Sequence, residues 1–270
     1  PPDRDALPDN CSGGDPRRPS TLGERVAAVD GCCAAARMYN APFVSGKDSL
    51  NNEYVGADGE RHAVPPTLVN TAVAHVPDAD HCVTPDLAEP GNELILIGQT
   101  EPEFAGSHLD LVQGAPINPG VAPAPDPDAP ETYRHLHAAI RAGLVVACHD
   151  VSEGGVAVAL AEMCMAGRLG ARIDRLPHED LVTALFSESS GRLIVEVRPR
   201  SVDAFLKIMG RAATTRLVGP VVDLSAKAGH QRIHVRRILR VLGLSDLRWP
   251  GKQAPVIANH IEPRQRLHDL

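Results

Sequence analysis

The sequence has few aromatic residues, no long apolar run and no excess of basic residues, and each absence excludes a class of protein. Aromatic residues make up 3% of the chain, too few for a surface that stacks nucleic-acid bases. Twenty-seven basic residues stand against thirty-four acidic ones, so nucleic acid is not expected as the main ligand. No apolar stretch approaches the roughly 20 residues of a membrane helix, so no membrane-spanning protein is expected.

The six cysteines have neither the spacing nor the density of a metal site or a disulfide scaffold. They are Cys11, Cys32, Cys33, Cys82, Cys148 and Cys164, with no C-x-x-C pair among them. Most lie among alanines and valines, where a thiol acts as a small apolar residue, so reduced cysteines and a cytoplasmic location are expected. Because the chain starts at Pro1 without Met or a signal segment, we expect a processed or incomplete chain.

Strand and helix patterns alternate along the chain and predict an α+β, or mixed α/β, fold. Residues 1–20 and 113–130 are rich in Pro, Asp and Gly and are predicted to be loops. The predicted helices are 21–40, 132–142, 152–166 and 201–211, and the predicted strands are 41–45, 67–76, 93–98, 143–148, 193–197 and 218–224. The Arg- and His-rich tail from residue 226 is left unassigned.

A polar turn is predicted at the end of the strand 41–45. Gly46 permits close backbone approach, Lys47 can meet a phosphate, Asp48 can face a cation, and Ser49 can bond a phosphate or sugar oxygen. The segment lacks the upstream glycine of a P-loop. On these residues alone, an ordinary turn remains the more frequent structure.

A second polar segment, Cys148 to Gly155, is predicted to join a strand to a helix. Ser152 is the expected N-cap, and Gly154 and Gly155 would leave backbone N–H groups open to an anion. Asp150 would lie within reach of a phosphate-bound Mg²⁺. The alternative is a well-capped helix without a ligand, although two glycines weaken a helix and indicate a close approach.

Three further segments are weaker candidates. Ser107 and His108 place a hydroxyl and an imidazole on a predicted loop, and His149 precedes Asp150. Residues 185–191 form a serine-rich turn. The His230 and His234 pair lacks the Glu of a zinc motif and indicates a solvated basic face rather than a metal site.

Together these segments resemble the phosphoribosylformylglycinamidine synthase family, whose synthase region is similar to a duplicated aminoimidazole ribotide synthetase. The matching strings are Asp9-Asn10-Cys11, Gly14-Asp15-Pro16, residues 42–53 (PFVSGKDSLNNE), Gly106-Ser107-His108, residues 149–162 (HDVSEGGVAVALAE) and residues 185–189 (LFSES). The resemblance implies three regions: the end of an N-terminal-type domain at 1–66, a C-terminal α+β domain at 67–225, and a divergent tail at 226–270.

The resemblance also implies roles for individual residues. Gly46 and Ser152 would contact nucleotide, Lys47, Asp48 and Ser49 would contact substrate or phosphate, and Asp150 would bind Mg²⁺. In the family this second nucleotide site is thought to be structural. No catalytic residue is assigned, because the half that supplies the family's catalytic histidine is not visible in this sequence.

The implied reaction converts formylglycinamide ribonucleotide, with ATP and glutamine-derived ammonia, into the amidine of purine biosynthesis. Its cofactors are ATP or ADP and Mg²⁺, and its partners are a glutaminase and the remaining half of the synthase. The alternatives are a non-catalytic Mg-nucleotide scaffold and another superfamily member, such as aminoimidazole ribotide synthetase or selenophosphate synthetase. A redox or metal role for the cysteines is the weakest hypothesis, and an unusually reactive thiol would revive it.

Overall fold

The computed structural model describes residues 6–76, 78–113, 122–210, 215–223, 232–234 and 256–259. The helices are α1 Pro19–Tyr39, α2 His108–Gln113, α3 Ala129–Arg141, α4 Gly155–Gly167, α5 Leu181–Phe186 and α6 Val202–Met209, with 3₁₀ turns at Ala79–His81 and Pro199–Ser201. The strands are β1 Leu7–Ser12, β2 Phe43–Ser49, β3 Glu53–Val55, β4 Arg61–Ala63, β5 Thr67–Asn70, β6 Glu93–Ile97, β7 Val145–Asp150, β8 Gly170–Ile173, β9 Leu193–Val197, β10 Thr215–Val222, β11 Arg232–His234 and β12 Val256–Asn259. Within the described residues, no helix is long and apolar enough to cross a membrane.

The chain divides into two compact units, with the division after residue 79. The sequence placed a domain boundary at residue 66, before the predicted strand 67–76. In the structure the start of that segment, β5, pairs antiparallel with β1, and Val73 forms a bridge with Ala6. These backbone pairings place the segment after residue 66 in the first unit.

The first unit contains a parallel pair of strands, β1 and β2, joined by α1. Its sheet has the order β2-β1-β5, and β3 and β4 form a separate hairpin. The prediction of a loop over 1–20 is wrong for β1, which is paired on both sides; residues 1–5 lie outside the described part. Helix α1 begins with Pro19 in its first turn, a favoured position for proline, so it starts before Thr21.

Much of the apolar surface of the first unit is exposed. No residue of α1 is buried, although the helix is described throughout. Large apolar side chains are exposed on α1, β2 and β5: Leu22, Val26, Val29, Phe43, Val44, Leu68 and Val69. Helix α1 and strands β2 and β5 therefore leave apolar side chains exposed on the surface of this unit.

The second unit is built on a sheet of order β11-β12-β8-β10-β6-β9-β7, which has a separate apolar cluster on each face of its central strands. Strand β6 contributes to both, because alternate side chains point to opposite faces. Leu94 and Leu96 pack with α4 in one cluster, and Ile95 and Ile97 pack with α3 and α6 in the other. The mixed α/β prediction is confirmed by this arrangement.

The predicted and observed elements of the second unit differ mainly at their ends and in the short elements. Strand β7 starts two residues later than predicted, and α2, α5 and β8 were not predicted. The predicted loop 113–130 has residues 114–121 outside the described part, and α3 begins within its end. Arg211 and Leu224, the predicted ends of a helix and a strand, also lie outside it. The tail contributes β11 and β12, and β12 pairs parallel with β8.

A buried carboxylate fixes the segment that leads into β6. The Glu196 side chain on β9 is fully buried. It accepts hydrogen bonds from the backbone N–H of Ala88 at 2.8 Å and of Glu89 at 3.1 Å, and from Asn92 Nδ2 at 2.6 Å. The carboxylate therefore holds residues 88–92 against the sheet.

We expect Glu196→Ala to lower the free energy of unfolding by about 3 kcal/mol, because it leaves three donors without an acceptor in the interior. Urea unfolding followed by circular dichroism measures the change. The exposed Glu179 is the matched control, and Glu179→Ala should change stability by less than about 0.5 kcal/mol. Equal stabilities of the two variants would contradict this role of Glu196.

Candidate functional site

The segment from Gly46 to Ser49 is the second half of strand β2 rather than the predicted turn. Parallel pairing extends to its end, with Asn10 opposite Lys47 and Ser12 opposite Ser49. The prediction of a turn here is wrong because β1, which pairs with this segment, was itself expected to be a loop.

The pleat of β2 separates the candidate residues onto two faces. Lys47 and Ser49 are two residues apart and share a face, whereas Asp48 lies on the other. The Lys47 ammonium donates a hydrogen bond to the Ser49 hydroxyl. The strand register adds Asn10 and Ser12 to the Lys47 face, so this face combines one cation with hydroxyl and amide groups.

Only glycine fits at position 46, because the Asp9 side chain on the neighbouring strand lies close to its Cα. It lies opposite Asp9 in the register, and a Cβ at Gly46 would collide with the Asp9 carboxylate. The close approach expected at this glycine is therefore made by a neighbouring side chain of the same unit.

In the second unit, four polar side chains meet where β7 ends. The Ser152 hydroxyl donates to Asp150, His149 Nδ1 lies 3.2 Å from Asp150 Oδ1, and His149 Nε2 lies 2.9 Å from Glu162 Oε2 on α4. The structure thus brings together three of the predicted site residues, His149, Asp150 and Ser152, and adds Glu162.

Asp150 is suited to bind a divalent cation together with other oxygen ligands. Its side chain is 65% exposed, and the hydrogen bond from Ser152 is the main cause that lowers the pKa of its carboxyl below 3.8. Mg²⁺ is usually held by one or two carboxylates together with phosphate oxygens and water. Within the described part of the chain, no group of three His, Cys, Asp or Glu residues could hold a metal.

The start of α4 is closed by the chain itself. Helix α4 begins at Gly155 with Gly154 as N-cap, so the prediction of Ser152 as N-cap is wrong. The Gly154 N–H donates to Glu188 Oε1 at 2.7 Å. Gly155 has φ +69°, and a Cβ there would lie 2.6 Å from the Ser187 carbonyl oxygen. Gly155 thus admits the backbone of residues 185–187, and Glu188 occupies the anion position expected for a phosphate.

Ser107 and His108 lie at the start of α2. The buried Ser107 accepts a hydrogen bond from the Asp110 N–H at 3.1 Å, which is the role of a helix cap. The His108 N–H donates to Glu188 Oε1 at 2.8 Å, while 57% of its side chain is exposed. Most of the His108 side chain is thus exposed, with its Nδ1 3.8 Å from Glu188 Oε1, and Ser107 is engaged within the fold.

The serine-rich turn at 187–191 is fastened by a buried arginine. Arg192 donates to the Thr100 hydroxyl at 3.0 Å and to the carbonyl oxygens of Ser187 at 2.5 Å and Ser189 at 3.0 Å. Burial lowers the pKa of Arg192 to about 10, so its guanidinium stays protonated at neutral pH. Both serine hydroxyls bond the backbone of Glu101, which indicates a structural role for the turn.

A search against known families gives a match that covers more than half of the chain. Residues 89–229 match the family described as AIR synthase related protein, C-terminal domain. The chain belongs to this family. The resemblance seen in the sequence is confirmed, and the AIR synthase related match lies over the unit that carries Asp150 and Glu188.

A curated relative extends the likeness beyond the matched domain. Phosphoribosylformylglycinamidine synthase subunit PurL of Limosilactobacillus reuteri (strain DSM 20016) is 34% identical over 219 residues, 81% of this chain. The chain spans 28% of the length of that relative. The identity therefore compares this chain with one part of a longer AIR synthase related protein.

Solved structures have the same fold at low identity. Thermotoga maritima PurL complexed with FGAR has a TM-score of 0.59 and 20% identity, covering 81% of this chain and 35% of that one. Escherichia coli HypE has a TM-score of 0.58 and 18% identity, covering 84% of this chain and 69% of its own. T. maritima PurL has also been solved with ATP and with ADP. These likenesses confirm the AIR synthase-like fold.

Sequence reasoning missed Glu162 and Glu188 as partners of the candidate residues. Each is distant in sequence from its partner, by 13 residues for His149 and Glu162 and by 34 for Gly154 and Glu188. Asn10 and Ser12 were not placed beside Lys47 and Ser49, because β1, which carries them, was predicted to be a loop. The strand–helix–strand order around α1 was the available signal, since it is typical of parallel pairing.

We expect Glu188→Ala to accelerate hydrogen exchange at the Gly154 and His108 amides about tenfold or more, because the loss of a charged acceptor costs roughly 1.5–3 kcal/mol. Exchange measured by NMR tests this. Glu188→Gln keeps an acceptor oxygen and should give a smaller increase, and Glu153→Ala, at an exposed neighbouring carboxylate, should give none. Unchanged exchange in Glu188→Ala would show that Glu188 does not close the start of α4.

Two cysteines of this AIR synthase related chain should resist alkylation. Burial raises the pKa of Cys148 to about 11 and that of Cys164 to about 12, so little thiolate exists at pH 8. Brief iodoacetamide treatment at that pH should modify the exposed Cys82 and spare both, whereas all three should react in denaturant. Rapid labelling of folded Cys148, detected by peptide mass spectrometry, would restore the redox hypothesis.

Proposed function

We propose that the chain is part of an ATP-dependent phosphoribosylformylglycinamidine synthase. It would act in the conversion of formylglycinamide ribonucleotide and glutamine-derived ammonia to the amidine. The observation that carries this proposal is the 34% identity to L. reuteri PurL over 219 residues, more residues than either unit contains. The shared sequence thus includes parts of both units.

The nucleotide contacts are proposed for both units, each considered by itself. T. maritima PurL binds ATP and ADP in solved structures, which supports a nucleotide ligand here. In the first unit, Gly46, Lys47, Asp48 and Ser49 are the proposed contacts. Lys47 already donates to Ser49, so a phosphate oxygen at this face would replace a hydroxyl as the acceptor of the ammonium.

Ser152 and Asp150 are the proposed nucleotide and Mg²⁺ contacts of the second unit. The Ser152 hydroxyl keeps the Asp150 carboxyl ionised, and His149 is held between two carboxylates. When bound there, Mg²⁺ would supply positive charge to offset that of the phosphates. Glu188 already fills the α4 terminus, so the phosphates would lie on the Asp150 side of it.

The proposed reaction requires groups beyond this chain. Because the chain spans only 28% of L. reuteri PurL, we propose that the remaining synthase segments complete the substrate site and that a glutaminase supplies ammonia. A complex named PurLQS has been solved for T. maritima, which supports partner subunits. Cytoplasmic location and glutamine amidotransferase activity are parts of the same proposal, and no residue of this chain is assigned to bond making.

We expect Asp150→Ala to weaken binding of ATP and ADP at least tenfold in the presence of Mg²⁺, and much less in its absence. Isothermal titration of the 270-residue chain measures the affinities. Glu153→Ala is the matched control, since Glu153 is an exposed carboxylate three residues away. Equal Mg²⁺-dependent affinity in Asp150→Ala and the wild type would remove Asp150 from the site.

Measuring turnover distinguishes the hypothesis that this chain is part of a synthase from the hypothesis that it is a non-catalytic nucleotide scaffold. In a synthase that contains this chain with the remaining segments, Lys47→Ala and Ser49→Ala should each lower kcat/KM for formylglycinamide ribonucleotide at least tenfold. ADP release that requires both this substrate and ammonia is the readout. Normal kinetics in both variants would favour a scaffold role for the β2 face.

A further inference from the structure

A cavity of about 140 Å³ lies within the first unit, between α1 and the strand and loop segments that face it. Its walls include Cys11, Ala28, Ala63 and Leu68. A buried water needs roughly 10–15 Å³ of such space, so this cavity has room for several waters or a small polyatomic ion.

The guanidinium of Arg25 lines this cavity and has two nitrogens without a hydrogen-bond partner among the described residues. Its Nε and Nη1 are buried, and neither has an acceptor within hydrogen-bond distance in the part of the chain that the structure describes. Leaving buried donors without an acceptor is costly, because nothing replaces the hydration that they have lost. The arginine thus provides donors that the described residues do not use.

Among the described residues, none of the neighbouring carboxylates pairs with Arg25. Glu53, whose side chain is 1% exposed, pairs with Arg18 at 3.2 Å and Arg61 at 3.8 Å. Asp15 pairs with Arg17 at 2.7 Å. Glu24 also lines the cavity, but it forms no ion pair with Arg25 within 4.0 Å among the described residues. Among the residues that the structure describes, Arg25 therefore forms no ion pair that would balance its charge.

Gly13 makes space for the guanidinium, and its backbone is fixed by hydrogen bonds. A Cβ at Gly13 would lie 2.8 Å from Arg25 Nη2, so any larger residue would displace the side chain. The Gly13 N–H donates to the Ser49 carbonyl oxygen at 3.2 Å, and its own carbonyl accepts from the Asn52 N–H at 2.9 Å. The cavity wall is thus pre-organised before a ligand enters.

We propose that this cavity is a binding site for a small oxyanion, of the phosphate or carboxylate class, held by Arg25. A guanidinium can donate two parallel hydrogen bonds to such a group. The site lies apart from Lys47 and Ser49, which are on the opposite face of the sheet from Cys11 according to the register. It is independent of the proposed synthase function.

The test uses the 270-residue chain with inorganic phosphate and with acetate, each titrated at constant ionic strength. Phosphate should shift the NMR signals of the Arg25 Nε–H and the Gly13 and Gly14 amides, and Arg25→Gln should weaken this binding at least tenfold. Arg17→Gln removes an exposed arginine already paired with Asp15 and should leave the affinity unchanged. Shifts with phosphate alone would identify a phosphate site, and shifts with both ions a general oxyanion site.

A second variant keeps the test informative if Arg25→Gln folds poorly. Arg25→Met replaces the unpaired charge by an apolar chain of similar length, so it should raise the unfolding temperature without added ions. Phosphate should then raise the unfolding temperature of the wild type but not that of Arg25→Met. Equal responses of wild type and variant, or no phosphate binding by the wild type, would overturn the proposal.

Discussion

The carboxylate of Glu188 joins segments of the second unit that are far apart in sequence, and the geometry around Asp150 depends on it. It accepts hydrogen bonds from the start of α4 at Gly154 and from the start of α2 at His108. Only residues 151–154 connect β7 to α4, so fixing Gly154 also restricts Asp150 and Ser152. Gly155 permits the arrangement, because its lack of a side chain admits the backbone of residues 185–187.

Because Glu188 closes the start of α4, the backbone N–H groups there do not serve as an anion site, although the exposed Asp150 carboxylate lies beside them. Backbone N–H groups at such a position usually offer an anion site, but here the protein supplies its own anion. The exposed Asp150 carboxylate lies beside that closed terminus. The charge that Asp150 and Glu188 present in this region is thus negative. Under the proposed function, a nucleotide phosphate would approach it through a bridging cation rather than through the helix.

The parts of the fold that were predictable from sequence are those with a strong local signal. The apolar run Leu94–Ile97 identifies β6, and the small and apolar residues after Gly155 identify α4. Strand β1 contains Pro8, Asp9 and Asn10, which are poor strand formers, and its structure comes from pairing with β2 and β5. In the site, Asp150 and Ser152 are adjacent enough to be foreseen together. The contacts of Glu162 with His149 and of Glu188 with Gly154 could be found only from the tertiary fold, because sequence spacing does not encode which distant carboxylate reaches the site.

The burial of β6 on both faces raises the question of what sets its alignment with β9. A strand with one polar face loses burial when it slips by one residue, but Leu94 to Ile97 are apolar in both directions, so a slip would cost them little. Glu196 removes this ambiguity. It lies opposite Leu94, on the one face where residues 88–92 present three donors, and a one-residue slip would turn its charge into the apolar cluster beneath α3 and α6. A single acidic residue thus encodes the strand register that the apolar residues leave undetermined.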